Sequence, residues 1–403
     1  MLIQDIKQIE LLAPAGDLNK LKVAINYGAN AVYVGGYKFS LRARANNFTL
    51  EDLKEACLFA HHHRAKLYVT MNIIPHDSDL EGLVEYLQYL ESIKVDAIIV
   101  SSMYIIATAR EVAPKLEIHI STQTSNINSE ACNAFLKLGA NRVVLGREAS
   151  LVDIKSIKKN TKASLEVFIH GGMCSSYSGR CVLSNHMVNR DANRGGCAHS
   201  CRWSYDLYDD ENNKLNNEGF FHMASKDLMA VEMVSKLIDI GVDSLKIEGR
   251  MKSEYYIATV VKSYRILIDR IYNNKKSNLE EIKREIKKAE NRETGYGFFY
   301  GHMSLNGQLY ASCEIPSKEF VGKVLKYNLF TKIVTLEQRN YFKIGDTLEF
   351  FGPKRKNKLF CVKEIKNDKG DCLATACHPQ EIIKLKIPFY VKRGNFIRLA
   401  KIR

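Results

Sequence analysis

Through residues 10–248, eight short β-branched or apolar runs alternate with amphipathic stretches, and this alternation confines the chain to an α/β architecture. The runs are 10–14, 31–35, 66–70, 96–100, 117–121, 142–146, 165–170 and 244–248. Helical spacing lies between them, at 50–62, 80–93, 129–138 and 225–240 among others. Gly-Ala-Asn at 28–30 and 139–141 and Gly-Val-Asp at 241–243 set a helix-stopping glycine just ahead of a strand, as an αβ turn does. Eight βα units in about 270 residues suit a closed TIM-like (β/α)8 barrel; an open doubly wound sheet is the alternative. In a barrel, the residues that follow the strands gather at one mouth: Asn72, Ser101, Gln123, Arg147, Glu148, His170, Glu248 and Arg250. Strand ends also carry polar residues simply because they reach solvent, so position alone does not separate function from exposure.

Helical spacing resumes at 255–272, and the Lys/Glu-rich stretch 273–293, with its i,i+4 charge pairs, reads as a solvated connector helix. From about residue 314 the pattern turns into alternating strands separated by turns, at 320–325, 332–336, 346–351, 359–365 and 389–393. The expected organisation is a barrel over 1–272 with a cysteine-rich insertion at about 170–204, a connector over 273–309, and a small all-β barrel domain over 310–403.

No window approaches the run of about 18 apolar residues that a bilayer span needs, and residues 1–10 lack the apolar core of a signal peptide. The expected location is the cytoplasm, where ten cysteines do not form a disulfide framework and are read for metal or redox chemistry. Cys174, Cys181, Cys197 and Cys201 follow the seventh strand with the spacing C-x6-C-x15-C-x3-C. Structural zinc sites favour two close pairs, and here only the second pair is close; irregularly spaced thiolates suit an iron–sulfur cluster, with zinc or separate reduced thiols as alternatives. Gly171, Gly172, Gly179, Gly195 and Gly196 would let backbone approach the sulfurs, and His186 and His199 are further nitrogen donors in the loop. Cys57, Cys132, Cys313, Cys361, Cys372 and Cys377 are scattered; Cys57 and Cys132 sit in apolar helical settings as small core residues.

Lys and Arg number 59 against 45 Asp and Glu, a net +14 that biases the surface toward polyanions such as nucleic acid or anionic lipid. Basic segments at 354–358 and 384–386 would make the β-domain the part that meets such a polyanion, a plain solvated charged face being the alternative.

The segment from Glu166 through Cys174 and Cys181 to Ser184 resembles the signature of the collagenase-like peptidase family, group U number thirty-two of unknown catalytic type. Glu10-Leu-Leu-Ala-Pro-Ala-Gly16, Lys246-Ile-Glu-Gly-Arg250 and Arg202-Trp203 extend the likeness over nearly the whole chain, with Gly172 standing where the family usually has Ser or Ala. The four cysteines with a trailing β-domain are similar to the branch of tRNA wobble-uridine 5-hydroxylation proteins. That resemblance implies a 4Fe–4S cluster on Cys174, Cys181, Cys197 and Cys201, prephenate as co-substrate, tRNA as substrate and a paralogous partner protein. The same family carries a peptidase label, which implies peptide-bond hydrolysis as a second reading. A third is a non-catalytic iron–sulfur subunit that binds RNA.

For the hydroxylase reading, Arg147 and Arg250 are candidates to grip the carboxylates of a prephenate-like donor bidentately. Gln123, Lys246 and the loop residues Arg42 and Arg44 are further substrate contacts, and Glu148, His170 or Glu248 would move a proton. Ion pairing along the barrel rim is the alternative use of these charges. For the peptidase reading the sequence offers no H-E-x-x-H, no G-x-S-x-G, and no cysteine outside the cluster with an evident histidine partner.

Overall fold

The computed structural model describes residues 8–41, 47–215, 220–290, 292–301, 320–353 and 356–400. All eight apolar runs are strands: β1 (Glu10–Pro14), β2 (Ala31–Gly35), β3 (Lys66–Met71), β4 (Ala97–Val100), β5 (Glu117–Ile120), β6 (Arg142–Val144), β7 (Ser164–Gly171) and, after an intervening β8 (Asp227–Met229), β9 (Ser244–Ile247). β1 to β7 pair in parallel in chain order, and β9 closes the ring by pairing in parallel with β7 and with β1. Helices wrap it: α1 (Leu18–Asn26), α2 (Leu50–His62), α3 (Leu83–Ser92), α4 (Met103–Val112), α5 (Ser129–Lys137) and α6 (Leu151–Asn160). Their starts are written locally. Asp17 and Asn128 accept from the backbone N–H three residues on, and Thr49 with Asp52 and Ser150 with Asp153 form capping boxes. Leu12, Ala31, Tyr33, Tyr68, Ala97 and Ile99 pack together inside the barrel, and the outward strand faces join the helices in the main core.

Two expectations change here. The stretch 225–240 is not one helix: β8 runs antiparallel along the end of β7 and carries a further strand, β10 (Thr294–Gly295), before helix α8 (Val234–Ile240). β7 outlasts its neighbour β6, whose pairing ends at Glu166, and along the edge left open there His170 and Gly171 pair with Met229 and Leu228. The connector is not merely solvated either. Its helix α10 (Leu279–Lys287) buries Ile282 and Ile286, one turn apart, in the main core beside helix α9 (Glu254–Tyr272). A short helix α7 (Leu183–Val188) lies inside the cysteine-rich loop.

The C-terminal part is an antiparallel sheet curled around its own core. Its strands are β11 (Phe320–Tyr327), β12 (Ile333–Gln338), β13 (Phe342–Lys343), β14 (Thr347–Phe351), β15 (Lys358–Cys361), β16 (Ile365–Lys366), β17 (Cys372–Leu373), β18 (Thr375–Ala376), β19 (Ile382–Lys386) and β20 (Phe396–Leu399). Eight of them pair in the order β15-β14-β20-β11-β12-β19-β16-β17, and β13 pairs with β18. The expected strand at 389–393 is a loop between β19 and β20, bounded by Pro388, which has no N–H for a ladder, and by Gly394 at φ 82°. This sheet docks on the barrel through aromatic contacts: Tyr255 of α9 stacks on Phe320 at 4.8 Å, and Tyr27 meets Phe396 at 5.9 Å. Arg398, fully buried, bridges Glu285 of α10 (2.5 Å) and Glu349 of β14 (2.6 Å) across the junction.

Candidate functional site at the barrel mouth

The floor of the mouth is ionic. Glu166 of β7, wholly buried, accepts from Lys246 of β9 at 2.7 Å and from Arg142 of β6 at 3.1 Å. Arg142 also donates to Glu10 at 2.5 Å, and Glu10 accepts from Tyr68 (2.6 Å) and Ser244 (2.9 Å). Burial alone would raise the Glu166 pKa, but Lys246 and then Arg142 override it and bring it down to about 2. Burial lowers the pKa of His119, which lies beside Tyr68, and the hydrogen bond to Glu117 opposes that shift.

Above this floor stand two rings. The Lys246 ammonium lies 4.6 Å from the Tyr33 centroid and 5.3 Å from that of Phe168. On Phe168 also rests the Arg147 guanidinium, 3.9 Å from the ring centroid. Arg147 comes within 3.9 Å of Glu248, too far for a hydrogen bond, while the Tyr33 hydroxyl reaches Glu248 at 3.2 Å and the Ile247 carbonyl at 3.1 Å. Arg147, Glu248, Tyr33 and Phe168 therefore form one cluster at the rim, with Lys246 beneath it.

The other sequence candidates have different employments. Arg250 is 4% exposed, and its forked nitrogens donate to Ser40 (2.7 Å), Thr70 (3.2 Å) and Asn47 (2.8 Å), which ties down the segment after β2 instead of leaving a fork for a carboxylate. Gly35 is required by this arrangement, since a Cβ there would run into the Arg250 guanidinium. Lys246 is committed to Glu166. His170 does not face the mouth at all. A bulge on β7 sets two residues, Phe168 and His170, against Lys246 and Ile247 of β9, so Phe168 shares the inward face with Lys246 and His170 turns outward with Ile247. It is buried against α9, its Nδ1 3.3 Å from the Tyr264 hydroxyl and its Nε2 3.2 Å from Glu290. Glu148 accepts from the N–H (2.5 Å) and hydroxyl (2.7 Å) of Ser178, a fastening role. Gln123 is buried and accepts from Asn72 at 3.2 Å. Arg42 and Arg44 lie outside the described residues.

The cysteine-rich loop is fastened across this mouth. Besides Ser178 on Glu148, Arg180 donates to the Gln123 carbonyl at 2.6 Å and Ile74 donates to the Asn193 carbonyl at 3.0 Å. Arg194 forks onto both oxygens of Asp79 at 2.6 and 2.7 Å. These contacts reach the connections after β3, β5 and β6. Sequence reasoning named Glu148 but missed its role, and it missed the loop's Arg180, Asn193 and Arg194; the inward parity of Glu166 and Phe168 was a signal for the ring cluster.

Within the loop, Asn193 clamps Cys181 through its main chain, donating to its carbonyl at 3.0 Å, and the Leu183 N–H points at the Cys181 sulfur at 3.4 Å. Cys174 lies 2.9 Å from the Ser176 hydroxyl. Burial pushes the Cys201 thiol up, opposed by a hydrogen bond from Ser175, and Cys174 and Cys197 stand near enough to push it further. Cys174, Cys181 and Cys201 are partly exposed and Cys197 is exposed. Among the described residues no three His, Cys, Asp or Glu side chains converge on a ready metal position. The chemistry of the donor set nevertheless fits: four thiols on one loop, three of them near enough to interact electrostatically, with the Leu183 N–H directed at the Cys181 sulfur.

Sequence reasoning also passed over a pair four residues apart on α2, Cys57 and His61, which the fold joins to Asp96. Cys57, His61 and Asp96 line up, with His61 3.8 Å from the Cys57 sulfur and 2.9 Å from Asp96, in the manner of a thiol peptidase. Its geometry makes it inert. The thiol donates to the Lys94 carbonyl at 3.1 Å, is 1% exposed, and burial pushes it up to about 12. It also sits where α2 ends and β4 begins, at the end of the barrel opposite the mouth.

Two family models match the chain, one described as peptidase family U32 over residues 16–308 and the other as the C-terminal domain of that family over residues 316–398. The chain belongs to peptidase family U32. Among its U32 relatives is "tRNA hydroxylation protein P1" of Bacillus subtilis, 44% identical over 98% of this chain and 96% of that protein. "Collagenase" of Porphyromonas gingivalis is 32% identical over 90% of this chain and 91% of that protein. "23S rRNA 5-hydroxycytidine C2501 synthase" of Escherichia coli is 39% identical over 66% of this chain and 40% of that protein. The U32 name thus spans proteins named for RNA hydroxylation and for proteolysis. Among the described residues, no helix of this member is long and apolar enough to cross a membrane.

The Glu148 fastening has a measurable consequence. Glu148→Ala removes both hydrogen bonds to Ser178 and is expected to speed protease nicking within residues 174–202 several-fold, while moving the global melting temperature by less than about 2 °C. Nicking at the wild-type rate in a limited-proteolysis time course would contradict the fastening role.

Proposed function

We propose that this chain is a tRNA-modifying enzyme that hydroxylates C5 of a wobble uridine, with Cys174, Cys181, Cys197 and Cys201 holding a 4Fe–4S cluster and prephenate as the carboxylate-bearing co-substrate. The observation that carries the reading is the fastening of a four-cysteine loop over a barrel mouth whose rim cation, Arg147, is engaged by no hydrogen bond among the described residues. Such a mouth can accept an anionic small molecule beside a redox-capable group. The relatives named for tRNA hydroxylation support the same reaction class.

Replacing C5–H by C5–OH adds one oxygen and removes two electrons from the base, so side-chain acids and bases alone do not suffice; the balance closes if the co-substrate gives up a hydroxyl and is itself reduced by two electrons (U–H + R–OH → U–OH + R–H), and a cluster on the cysteines would supply electron transfer between the two. The chain's own residues bind and orient. Arg147, over the face of Phe168, offers its fork to one carboxylate of the co-substrate. Glu248, held by the Tyr33 hydroxyl, is placed to take or give a proton at the rim. Lys246, locked to Glu166, supports the Tyr33 and Phe168 rings from below without reaching out. The thiol–imidazole–carboxylate array seen among the described residues does not favour the peptidase reading, since it is buried at the far end.

Nucleoside mass spectrometry of tRNA from cells lacking this chain tests the reading. Loss of 5-hydroxyuridine derivatives is expected, and an unchanged profile in a strain without paralogues would contradict it.

A further inference from the structure

The chain's basicity is concentrated at one end. Residues 320–403 hold 19 of the 59 Lys and Arg but only 7 of the 45 Asp and Glu, a net +12 out of +14, so the remaining chain is nearly neutral. The basic run at 354–358 does not present a clear surface. Its Asn357 accepts from Lys262 of α9 and donates to Glu349, which places that segment against the barrel, and residues 354 and 355 lie outside the described residues.

The outward cations collect around the turn between β11 and β12. Lys326 opposes Thr335, Thr335 opposes Lys384, and Ile333 opposes Lys386. Directly opposed residues on antiparallel strands project from the same face, so Lys326, Lys384 and Lys386 share one. Lys332 lies in the turn itself. The loop after β19 is tied to this end of the sheet: Ile387 donates to the Lys332 carbonyl at 2.9 Å, Gly394 to the Val324 carbonyl at 2.8 Å, and the Tyr390 and Tyr327 rings meet at 5.6 Å. That loop adds Lys392 and Arg393, both exposed.

The acids near this end are Glu337, Glu364 and Asp368 on the flanking strands, and Glu364 also acts electrostatically on Lys386. Among the described residues, ion pairs on neighbouring strands hold Arg339 to Glu337, Lys366 to Glu364 and Lys384 to Asp368, and none engages Lys326, Lys332, Lys386, Lys392 or Arg393. At the tip, Phe330 is 97% exposed and Leu329 is 66% exposed. The turn is not loose, because the Asn328 side chain accepts from the N–H groups of Phe330 (2.9 Å) and Thr331 (3.1 Å). An aromatic ring held in solvent beside cations that outnumber the neighbouring acids fits a polyanion with flat apolar faces, which is a nucleic acid. A lipid surface would call for a broad apolar face, whereas β12 presents Ile333, Thr335 and Glu337 in alternation.

We propose that the β11–β12 turn and its flanking cations form the surface that grips the RNA substrate, with Phe330 stacking on an unpaired base and Lys326, Lys332 and Lys386 on phosphates. The identity of the RNA as tRNA rests on the hydroxylation reading above. The test uses the full chain and unmodified tRNA in an anisotropy titration across a potassium chloride series. Lys332→Glu with Lys386→Glu is compared with Lys343→Glu and Lys363→Glu, two exposed lysines of the same domain away from the β11–β12 turn that deliver the same charge change. The first pair is expected to weaken binding about 30-fold and to flatten the slope of log K against log salt by about 1.5 to 2, and the control pair less than about threefold. Phe330→Ala is expected to cost about tenfold with the salt slope unchanged, and an exposed ring leaves folding intact.

Equal weakening by both pairs would overturn the surface, as would binding to phosphatidylglycerol vesicles without binding to tRNA. Patch-dependent tRNA binding with unchanged nucleosides in the deletion strain sinks the hydroxylation reading and leaves the surface standing. Wild-type binding by the patch variants, with nucleosides lost in that strain, does the reverse.

Discussion

Glu166→Ala is expected to destabilise the chain by about 3–5 kcal/mol, because it strips two buried cations of their shared anion. Lys246 and Arg142 both donate to Glu166, at 2.7 and 3.1 Å, and neither can turn to water, being 4% and 7% exposed. Arg142 keeps Glu10, but Lys246 has only the faces of Tyr33 and Phe168 left among the contacts described for it. Those rings also carry Arg147 and Glu248, so the loss reaches the rim through packing. The same pairing makes an acid prediction. The Glu166 pKa is depressed to about 2 in the folded state, against about 4.3 in an unfolded chain. Its contribution is complete above the unfolded value and disappears as pH falls from about 4.3 through about 2. Urea unfolding at neutral pH and at about pH 3 measures both effects. A neutral-pH loss below about 1 kcal/mol would show that the barrel does not depend on this network.

Cys197→Ser is expected to abolish retained iron while leaving the polypeptide fold unchanged. Cys197 is the exposed member of the four, so its sulfur contributes little packing. Removing one of four thiolates from an iron–sulfur site leaves an open corner, and the broad absorption near about 400 nm should fall to background in anaerobic preparations. Cys132→Ser is the matched control: that thiol is buried in α5, pushed up to about 11 by burial, and should leave iron content at the wild-type level. Iron retained by Cys197→Ser, or zinc in place of iron in the wild-type chain, contradicts the cluster assignment.

Much of the architecture was legible because it is local. The eight strands are apolar runs bounded by glycines and helix caps, and Thr49 with Asp52 or Ser150 with Asp153 announce their helices in the sequence itself. What was not legible depends on pairing between distant segments. Ser225 to Ile240 has helical spacing, yet the overhanging end of β7 captures residues 227–229 as a strand. Pro388 and Gly394 cut a strand-like run out of the sheet, and the run at 359–365 breaks into β15 and β16.

In the site, the cysteine loop was evident from spacing, but the employment of the charges around it was not. Arg250 and Arg147 look alike as strand-end arginines. Ser40, Thr70 and Asn47, far away in sequence, absorb one of them, and an aromatic face holds out the other. His170 shows the limit most clearly, since strand parity points it into the barrel and a single bulge turns it out toward Tyr264 and Glu290. Cys57, His61 and Asp96 show the converse: a helical i,i+4 pair that folding completes with a distant carboxylate, in a place where burial pushes the thiol up.

The central claim is that the cysteine loop over the barrel mouth makes this chain an RNA hydroxylase. Its most direct test is nucleoside mass spectrometry of tRNA from a strain that lacks the chain and all paralogues, complemented with wild type, Cys197→Ser or Cys57→Ser. Wild type and Cys57→Ser should restore the 5-hydroxyuridine-derived nucleosides, and Cys197→Ser should not. Restoration by Cys197→Ser, or no difference between the uncomplemented and wild-type strains, would contradict the account.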